Sequence, residues 1–433
     1  MLKLILKTLW SRRRNNGWLM AELILVAVLS WIIFDPVIVV TYDRQRPLGY
    51  DAGRLCMVSV AMFQPQAPGY DVQGTDSASL MQSYFSIVER TRQHPDVKYA
   101  TPMASFTYPC SMGSITSSLT AEGDSTEFSI LNIYFWPHTN FFETYGFKQG
   151  EGSMTVNQLS DYSYCESDII LTEDAMEGVF HSKTYSRQRC WEAAGKDTTY
   201  MSVVGTVKPF KYANDFRPIP VAFIPEKNPD ILECLGDMHI VVRIKDGVSM
   251  KRFLHDFRSW MLREMRAGNL YARNLQSYDD LIAGSEFHTA TSLYRRNLSV
   301  AMFFLINLCL GVIGTFWLQT RTRREEVGVM LSYGATPHNI RVLLLGEGVV
   351  LTTISTLIGC IIYLQYALSE GLYGLDNYIK SITQPCWIYN FGQHYLIVSF
   401  IIYIILLLVV LTGIYIPAHR ISTISPTEAL RDE

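Results

Sequence analysis

Four long apolar segments constrain this chain more than any other feature of its sequence. They are Trp18–Val40, Asn297–Gln319, Val342–Leu364 and Tyr395–Ile416. Each can cross a bilayer, because a helix of about 20 mainly apolar residues spans about 30 Å of hydrocarbon. Only a helix satisfies its own backbone hydrogen bonds in lipid without closing a barrel. We therefore predict an α-helical membrane protein with four transmembrane helices, one near the start of the chain and three after a long gap.

The long gap, residues 42–296, carries most of the charge. Charged residues are 18% of the chain, against about a quarter in soluble globular proteins, and they avoid the apolar segments. Val-rich runs between turn residues predict strands in the gap, and helical spacing of apolar residues predicts helices. The predicted strands are Leu55–Phe63, Asp168–Leu171, Met201–Val207 and His239–Ile244, and the predicted helices are Ser77–Arg92 and Met250–Arg266. The gap is thus predicted to be a large α+β domain between transmembrane helices one and two.

The size of this domain predicts two subdomains. Glycines cluster at Gly146, Gly150 and Gly152, which places the predicted boundary near residues 146–151. In chain order the predicted parts are an amphipathic helix (1–16), transmembrane helix one (17–41), the α+β domain (42–296), transmembrane helix two (297–319), a loop (320–341), transmembrane helix three (342–364), a second loop (365–394), transmembrane helix four (395–416) and a tail (417–433).

Lysine and arginine in the short loops predict the orientation, since they favour the cytoplasmic side. Basic residues occupy the first 16 residues, the loop after helix two and the tail, whereas the loop Ser369–His394 has only Lys380. We therefore predict cytoplasmic termini and an extracytoplasmic α+β domain. The first apolar segment exceeds the roughly 7–15 apolar residues of a signal peptide and has no small-residue cleavage site, so we expect a retained anchor.

The segment before that anchor is amphipathic. Leu2, Ile5, Leu6 and Leu9 recur at helical spacing, away from Lys3 and Lys7 on the helical wheel. This pattern predicts a helix lying on membrane lipid with its basic face toward anionic headgroups. The alternative is that these charges only direct topology, and both can hold.

The loop Arg321–Ile340, RTRREEVGVMLSYGATPHNI, is unusually rich in charge for a connection between two transmembrane helices. Gly328 and Gly334-Ala335 are placed to break or tighten a helix. The pattern indicates a surface that meets a cytoplasmic partner. The alternative is a solvated loop whose charge only sets topology.

Three acidic residues touch the predicted spans, namely Glu22, Asp35 and Glu347. An ionisable group in hydrocarbon costs a few kcal/mol unless it is paired or near water. We expect Glu22 and Asp35 to lie near the membrane surfaces. Glu347, between Gly346 and Gly348, is expected to pair close to the Arg321 loop, since the glycines permit close helix approach.

Eight cysteines are present, six of them outside the predicted spans. An oxidising compartment would permit disulfides, but connectivity cannot be deduced from the sequence. Cys165 and Cys190 are the first pair to test, and free thiols are an equally open alternative.

The chain shows none of the motifs searched for catalysis. It has no GxxxxGK(S/T), HExxH or GxSxG, and its nine histidines do not pair at ligand spacing on one helix. We predict neither a metal site nor catalysis by this chain alone. A formal net charge of −3 gives no reason to expect nucleic-acid binding.

The loop and the tail resemble the MacB/FtsX-type ABC transporter permease family. Arg323, Glu326, Gly328 and Gly334 match its RxxEIG…GAT signature, with Val327 in place of the usual Ile. The ending PAHR…SPTEALR, from Pro417 to Arg431, is similar to the tail of the family, and the segment from Phe141 to Gly146 is a weaker match.

The resemblance implies a mechanical role in the cytoplasmic (inner) membrane. A separate cytoplasmic ABC ATPase would bind ATP and Mg, and this chain would carry the motion to its extracytoplasmic domain. The implied partners also include a second permease subunit, identical or paralogous, and a periplasmic adaptor. The implied ATPase-coupling residues are Arg321, Arg323, Arg324, Glu325, Glu326, Gly328, Gly334 and Ala335.

The implied outputs are efflux or extraction of a drug, peptide or lipoprotein. The alternative is a membrane-anchored sensor, or a regulator of cell-wall hydrolases, that signals through a partner without transport. A proton-coupled carrier is disfavoured, because only four spans are predicted and none carries an acid at mid-membrane.

Overall fold

The structure is a computed structural model that describes residues 13–111, 113–194, 197–212, 214, 217–226, 231–288, 290–322, 324–373 and 386–423. The chain forms two compact units. The helical unit comprises residues 1–41, 293–376 and 385–433, and the mixed unit comprises residues 42–292 and 377–384.

The mixed unit contains both helices and strands, while the helical unit has helices alone among its described residues. The helices are α1 (Arg13–Gln45), α2 (Ser77–Arg92), α3 (Phe141–Tyr145), α4 (Val156–Asp161), α5 (Glu173–Phe180), α6 (Met250–Glu264), α7 (Tyr278–His288), α8 (Ala290–Thr322), α9 (Arg324–Ser332), α10 (Pro337–Glu370) and α11 (Phe391–Ser422). The strands are β1 (Leu55–Met62), β2 (Val97–Ala104), β3 (Ile115–Ala121), β4 (Phe128–Phe135), β5 (Asp168–Thr172), β6 (Arg189–Ala194), β7 (Asp197–Val207), β8 (Val221–Pro225), β9 (Met238–Ile244), β10 (Arg266–Ala267) and β11 (Leu270–Ser277).

Three helices in the described part of the chain are long and apolar enough to cross a membrane. They are Gly17–Gln45 within α1, and the whole of α10 and α11. The remaining predicted span, Asn297–Gln319, lies inside α8, several of whose side chains fall outside the described residues. The predicted count of four transmembrane helices therefore stays a prediction. The predicted amphipathic helix 1–16 also lies mostly outside the described residues, which begin at Arg13.

The helical unit packs α1 against α10 and α11. Leu19, Leu23 and Ala27 are buried at intervals of four, so they form one stripe of α1. Trp31 continues the stripe, and its ring stacks on Tyr363 at 4.7 Å and on Tyr395 at 5.2 Å. Small residues bring the helices together.

Gly359 lies where α10 comes close to α1, since a side chain there would meet Ala27 and the backbone of Ile24. Gly348 faces Ile414 of α11 in the same way. A side chain added at Gly311 of α8 would lie 3.4 Å from the Glu22 carboxylate. Close helix contacts at small residues are thus seen at Gly348 and Gly359 of α10.

A five-stranded antiparallel sheet, in the order β10-β11-β1-β9-β2, forms one part of the mixed unit. Alternate residues of a strand point to opposite faces, and both faces of β1 are buried. Cys56 and Val58 join a cluster with α2 and α6, whereas Leu55 and Met57 join an aromatic core on the other face. Burial on both sides explains why β1 is an almost continuous apolar run.

A closed six-stranded barrel, in the order β3-β4-β8-β5-β7-β6, forms the other part. Its strands all come from residues 115–225, while the sheet takes its strands from both sides of that stretch. The barrel is therefore an insertion between β2 and β9, and the predicted boundary at 146–151 falls inside the inserted stretch. Those glycines have local roles instead. Gly146 ends α3 with φ +72°, and Gly150 lies against the backbone of Thr206.

The predicted secondary structure agrees with the observed elements. Helix Ser77–Arg92 is α2, and Met250–Arg266 exceeds α6 by two residues. The four predicted strands correspond to β1, β5, β7 and β9, of which β7 begins earlier than predicted, at Asp197. Helix α7 ends at His288 and α8 begins at Ala290, with Thr289 outside the described residues.

Asp174 makes the stability of the mixed unit depend on pH. It lies in the first turn of α5, which packs on the barrel strands, and its Oδ2 is buried without a hydrogen-bond partner among the described residues. Burial raises its pKa to about 6, although hydrogen bonds with Thr172 and Ala175 oppose the shift. A raised carboxyl pKa stabilises the folded state at low pH, and this contribution is lost as pH rises from about 4 through about 6.

We expect Asp174→Asn to unfold roughly 5 °C higher than the wild type at pH 7.5, and at a similar temperature near pH 4. The reason is that asparagine keeps the acceptor for the Ala175 amide and never charges. Thermal unfolding of the full chain in an uncharged detergent, followed by circular dichroism across this range, tests the expectation. If the unfolding temperatures of Asp174→Asn and the wild type differed by the same amount at every pH, Asp174 would not titrate as described.

Candidate functional site

The charged loop between α8 and α10 contains a defined helix stop. The Ala335 amide donates to Met330 O at 3.0 Å, and the Gly334 amide donates to Leu331 O at 3.0 Å. This pair of bonds is a Schellman motif, which satisfies the last carbonyls of α9. Gly334 has φ +87°, a left-handed conformation that costs glycine almost nothing. The GAT sequence is thus explained by the geometry that ends this helix.

The following residues start the next helix at once. Thr336 is the N-cap of α10, and its hydroxyl accepts from the Asn339 amide at 3.3 Å. Pro337 occupies the first helical position, where its missing N–H is no loss. Only Ala335 separates the glycine that ends α9 from the N-cap of α10. The change of direction between the two helices is therefore fixed without a flexible linker.

Helix α9 has a packed side and an exposed apolar side. Val327 and Gly328 are buried, and Ala335 is half-buried against the core of the helical unit. Met330 is 39% exposed and Tyr333 is 88% exposed. Val329 is exposed beside them, and Glu326 is exposed one turn before Met330. We call Glu326, Val329, Met330 and Tyr333 the α9 surface.

The sequence singled out the charges of this loop, and the structure adds the apolar side chains. Arg321, Arg323, Arg324 and Glu325 have side chains outside the described residues. Nothing in the sequence pattern alone separated Met330 and Tyr333 from core positions. Helical spacing does not single out Met330, because it lies three residues after the buried Val327 and so on nearly the same side of the helix.

The tail from Pro417 to Arg431 is only partly described. Pro417 and Ala418 are buried within α11, and the Arg420 guanidinium lies 5.2 Å from the centre of the Trp317 ring of α8. Residues 424–433, which include the SPTEALR ending, lie outside the described residues.

The three predicted membrane acids have different surroundings. Glu22 is half-buried near Gly311 of α8, and Glu347 is 4% exposed in α10. Asp35 is 1% exposed, and a histidine rather than solvent faces its carboxylate. His394 Nε2 lies 2.7 Å from Asp35 Oδ1, and the Tyr373 amide donates to Asp35 Oδ2 at 3.2 Å.

The end of α1 carries a buried charged cluster that no sequence pattern indicates. Arg217 Nε donates to Asp43 Oδ2 at 2.9 Å, and both side chains are about 5% exposed or less. The fully buried Lys211 donates to the carbonyls of Asp43 at 2.9 Å and Arg46 at 3.2 Å. A cation at a helix C-terminus satisfies its last carbonyls and opposes its dipole. We call Asp43, Lys211 and Arg217 the α1 latch, and all three belong to the mixed unit.

The structure does not bring Cys165 and Cys190 together. Cys165 is an exposed thiol in the turn before β5, whereas Cys190 is a buried thiol in β6 whose Sγ lies 3.9 Å from Met201 O. Burial raises the pKa of the Cys190 thiol to about 12, which makes it unreactive. Within the described part of the chain, no three His, Cys, Asp or Glu side chains are grouped to hold a metal ion.

The loop lies within the part of the chain that matches a known protein family. Residues 298–426 match the model of the FtsX-like permease C-terminal family. The probable export ATP-binding/permease protein MacB of Pseudomonas entomophila is 26% identical over 199 residues. The probable syringafactin export ATP-binding/permease protein SyfD of Pseudomonas syringae pv. tomato is also 26% identical over 199 residues. These matches cover 45% of this chain and 27% of each relative, so the chain aligns with about a quarter of their length.

Two solved structures resemble part of the chain. The periplasmic region of MacB from Actinobacillus actinomycetemcomitans is 13% identical with a TM-score of 0.29, and the match covers 56% of this chain and 96% of that one. The extracellular domain of the ABC-type transporter YknZ from Gram-positive bacteria is 11% identical with a TM-score of 0.27, covering 50% and 100%. The chain therefore carries an FtsX-like permease C-terminal domain at residues 298–426 and is homologous to MacB over part of its length.

Proposed function

We propose that this chain transmits ATP-driven motion from a separate cytoplasmic ATPase subunit to its mixed unit. The α9 surface carries the proposal. It is a short helix held rigidly at its C-terminal end by a Schellman motif and an N-cap, and it presents Met330 and Tyr333 to the outside. Aromatic residues and Met are enriched at protein interfaces, so this face suits a groove on a partner.

The physical route for the motion follows from helix continuity. Val327 and Ile340 anchor the α9 loop in the core of the helical unit, so a push on α9 is delivered to that core. Helix α1 packs in the same core through Leu23 and Trp31. It then continues without interruption to Gln45, and its last turn belongs to the mixed unit. Although Pro36 removes one backbone hydrogen bond within α1, a helix that is continuous up to the α1 latch supports transmission better than a flexible linker would.

The proposed orientation places the α9 surface in the cytoplasm and the mixed unit outside the inner membrane. ATP and Mg would be bound by the ATPase subunit, and a second permease subunit would complete the assembly. The proposed output is efflux or extraction of a drug, peptide or lipoprotein. The basic loops around the helices favour this orientation.

We expect Met330→Glu and Tyr333→Ser to abolish stimulation of ATP turnover in the copurified ATPase while leaving the chain in the membrane. Each replacement removes an apolar contact from an exposed helix face, so neither should disturb the core. The partner is identified by mass spectrometry after affinity purification from membranes. ATP turnover is then compared between the ATPase alone and the complex in liposomes.

Tyr200→Ser is the matched control, because Tyr200 is a 59% exposed tyrosine on β7 of the mixed unit. It should leave ATPase association and turnover unchanged. Normal stimulation by the Met330 and Tyr333 variants would contradict the proposed α9 surface. A wild-type complex without ATP-dependent output, or no ATPase partner at all, would favour the sensor alternative.

A further inference from the structure

A cavity of the mixed unit combines aromatic rings with the Glu226 carboxylate. It has a volume of about 360 Å³, and Met81 and Phe85 of α2, Trp136 after β4, Tyr164 before β5 and Glu226 after β8 line it. The ring centres of Phe85 and Trp136 are 5.3 Å apart. The elements that meet here come from both the sheet part and the barrel part of the unit. The volume is in the range of small-molecule pockets.

The aromatic walls are fixed by contacts outside the cavity. Trp136 is 6% exposed, and its ring also packs edge-on against Tyr84 at 5.5 Å. The Tyr164 hydroxyl donates to Leu159 O at 2.6 Å, and its ring packs edge-on against Phe135 at 5.4 Å. A rigid aromatic wall binds a ligand without first losing conformational freedom.

A backbone hydrogen bond fixes the position of Glu226, while its carboxylate faces the cavity. Its amide donates to Phe135 O at 2.8 Å, which continues the pairing of β8 with β4. The half-buried carboxylate has no hydrogen bond or ion pair among the described residues. Burial alone raises its pKa, with no basic group acting against the shift. A carboxylate in such surroundings is stabilised by any cation that enters the cavity.

The loop that carries Trp136 is strained beside the cavity. His138, which also lines the cavity, has φ +58°, and Asn140 has φ +55°. Left-handed conformations are uncommon for residues other than glycine, and they persist where surrounding structure enforces them. Thr139, between them, donates to Trp136 O at 2.6 Å. The loop that contains both residues is thus tied to the backbone of Trp136.

We propose that this cavity binds a small organic cation, with the positive group between the Glu226 carboxylate and the faces of Phe85 and Trp136. Aromatic faces attract ammonium groups through their quadrupole, and Trp is the strongest of the three aromatic side chains. Met81 and Tyr164 supply apolar surface for the rest of the ligand. A quaternary or tertiary amine with one aryl or short alkyl group fits both the charge and the volume. This inference concerns binding by the mixed unit and does not depend on coupling to an ATPase.

The test uses two water-soluble probes with permanent and opposite charges. Phenyltrimethylammonium and benzenesulfonate are titrated into the full-length chain in an uncharged maltoside detergent, with empty micelles as the blank. We expect saturable binding of the cation alone. Glu226→Gln should weaken it about tenfold, the equivalent of losing about 1.4 kcal/mol. Phe85→Leu should weaken it about threefold through the lost cation–π contact.

Glu192→Gln is the matched control. Glu192 is another carboxylate whose pKa is raised by burial, but it lies in a separate groove lined by Ser and Thr hydroxyls beside Trp191. This variant should bind the cation like the wild type, and circular dichroism should confirm that all variants are folded. Unchanged affinity in Glu226→Gln, equal binding of benzenesulfonate, or no saturable binding of the cation would each overturn the proposal.

Discussion

Replacing Asp43 with alanine is expected to destabilise the mixed unit by about 3–5 kcal/mol, because it removes one partner of a buried ion pair. The loss leaves the Arg217 guanidinium, which is 4% exposed, without the carboxylate that lies 2.9 Å away. An effect of this size should lower the midpoint of thermal unfolding by about 10 °C for a unit of roughly 250 residues. Thermal unfolding of the full chain in detergent, followed by circular dichroism, measures it.

The matched control is Asp256→Ala in α6. It breaks the pair of Arg252 and Asp256, which spans 3.5 Å but has both side chains more than half exposed. Exposed pairs contribute about 0–1 kcal/mol, so the midpoint should hardly move. If Asp43→Ala and Asp256→Ala gave the same small shift, the α1 latch would not hold the end of α1 in the mixed unit.

Variants of the α1 latch can distinguish its role in stability from its role in transmitting motion. In the proposed function, α1 carries motion only if its last turn moves with the mixed unit. A double variant, Asp43→Leu with Arg217→Met, removes both charges and should recover part of the lost stability, since paired apolar replacements avoid a lone buried charge. Recovered folding without recovered ATP-dependent output would show that the ionic contact itself is needed for transmission.

Local features of this chain were predictable because their chemistry is contained in a few consecutive residues. Gly334 ends α9 and Pro337 starts α10, and both positions follow from backbone preferences that need no tertiary information. The same is true of α2 and of the apolar helices, whose patterns extend over several turns. In these cases local preference and final fold agree.

Features that join distant residues were not predictable in this way. Asp43 and Arg217 are 174 residues apart, and Asp35 and His394 are 359 apart. Nothing in either local sequence marks these groups as partners. The insertion of the barrel into the sheet likewise depends on long-range strand pairing, which no local pattern near Gly146 reveals.

His394→Ala is expected to have the second large effect, on the helical unit. His394 Nδ1 lies 3.1 Å from Ile388 O, which can only accept, so Nδ1 carries a hydrogen. The 2.7 Å contact between Nε2 and Asp35 Oδ1 also needs one hydrogen, from either side. Alanine removes both contacts. The Asp35 carboxylate, which is 1% exposed, then keeps the hydrogen bond from the Tyr373 amide but loses its histidine partner. Leaving one partner of a buried pair costs about 3–5 kcal/mol, so α10 and α11 should unfold at lower temperature.

Asp35→Asn should behave differently, although it changes the partner of the same pair. The amide group of asparagine can donate to Nε2 of a neutral His394, and its oxygen can still accept from Tyr373, so every hydrogen bond is retained. We therefore expect a midpoint within a few degrees of the wild type, against a much larger loss for His394→Ala. The rate of backbone amide hydrogen exchange at the start of α11, measured by mass spectrometry, should rise only in His394→Ala. Equal losses in both variants would mean that the negative charge of Asp35, rather than the geometry of its hydrogen bonds, holds α1 against α11.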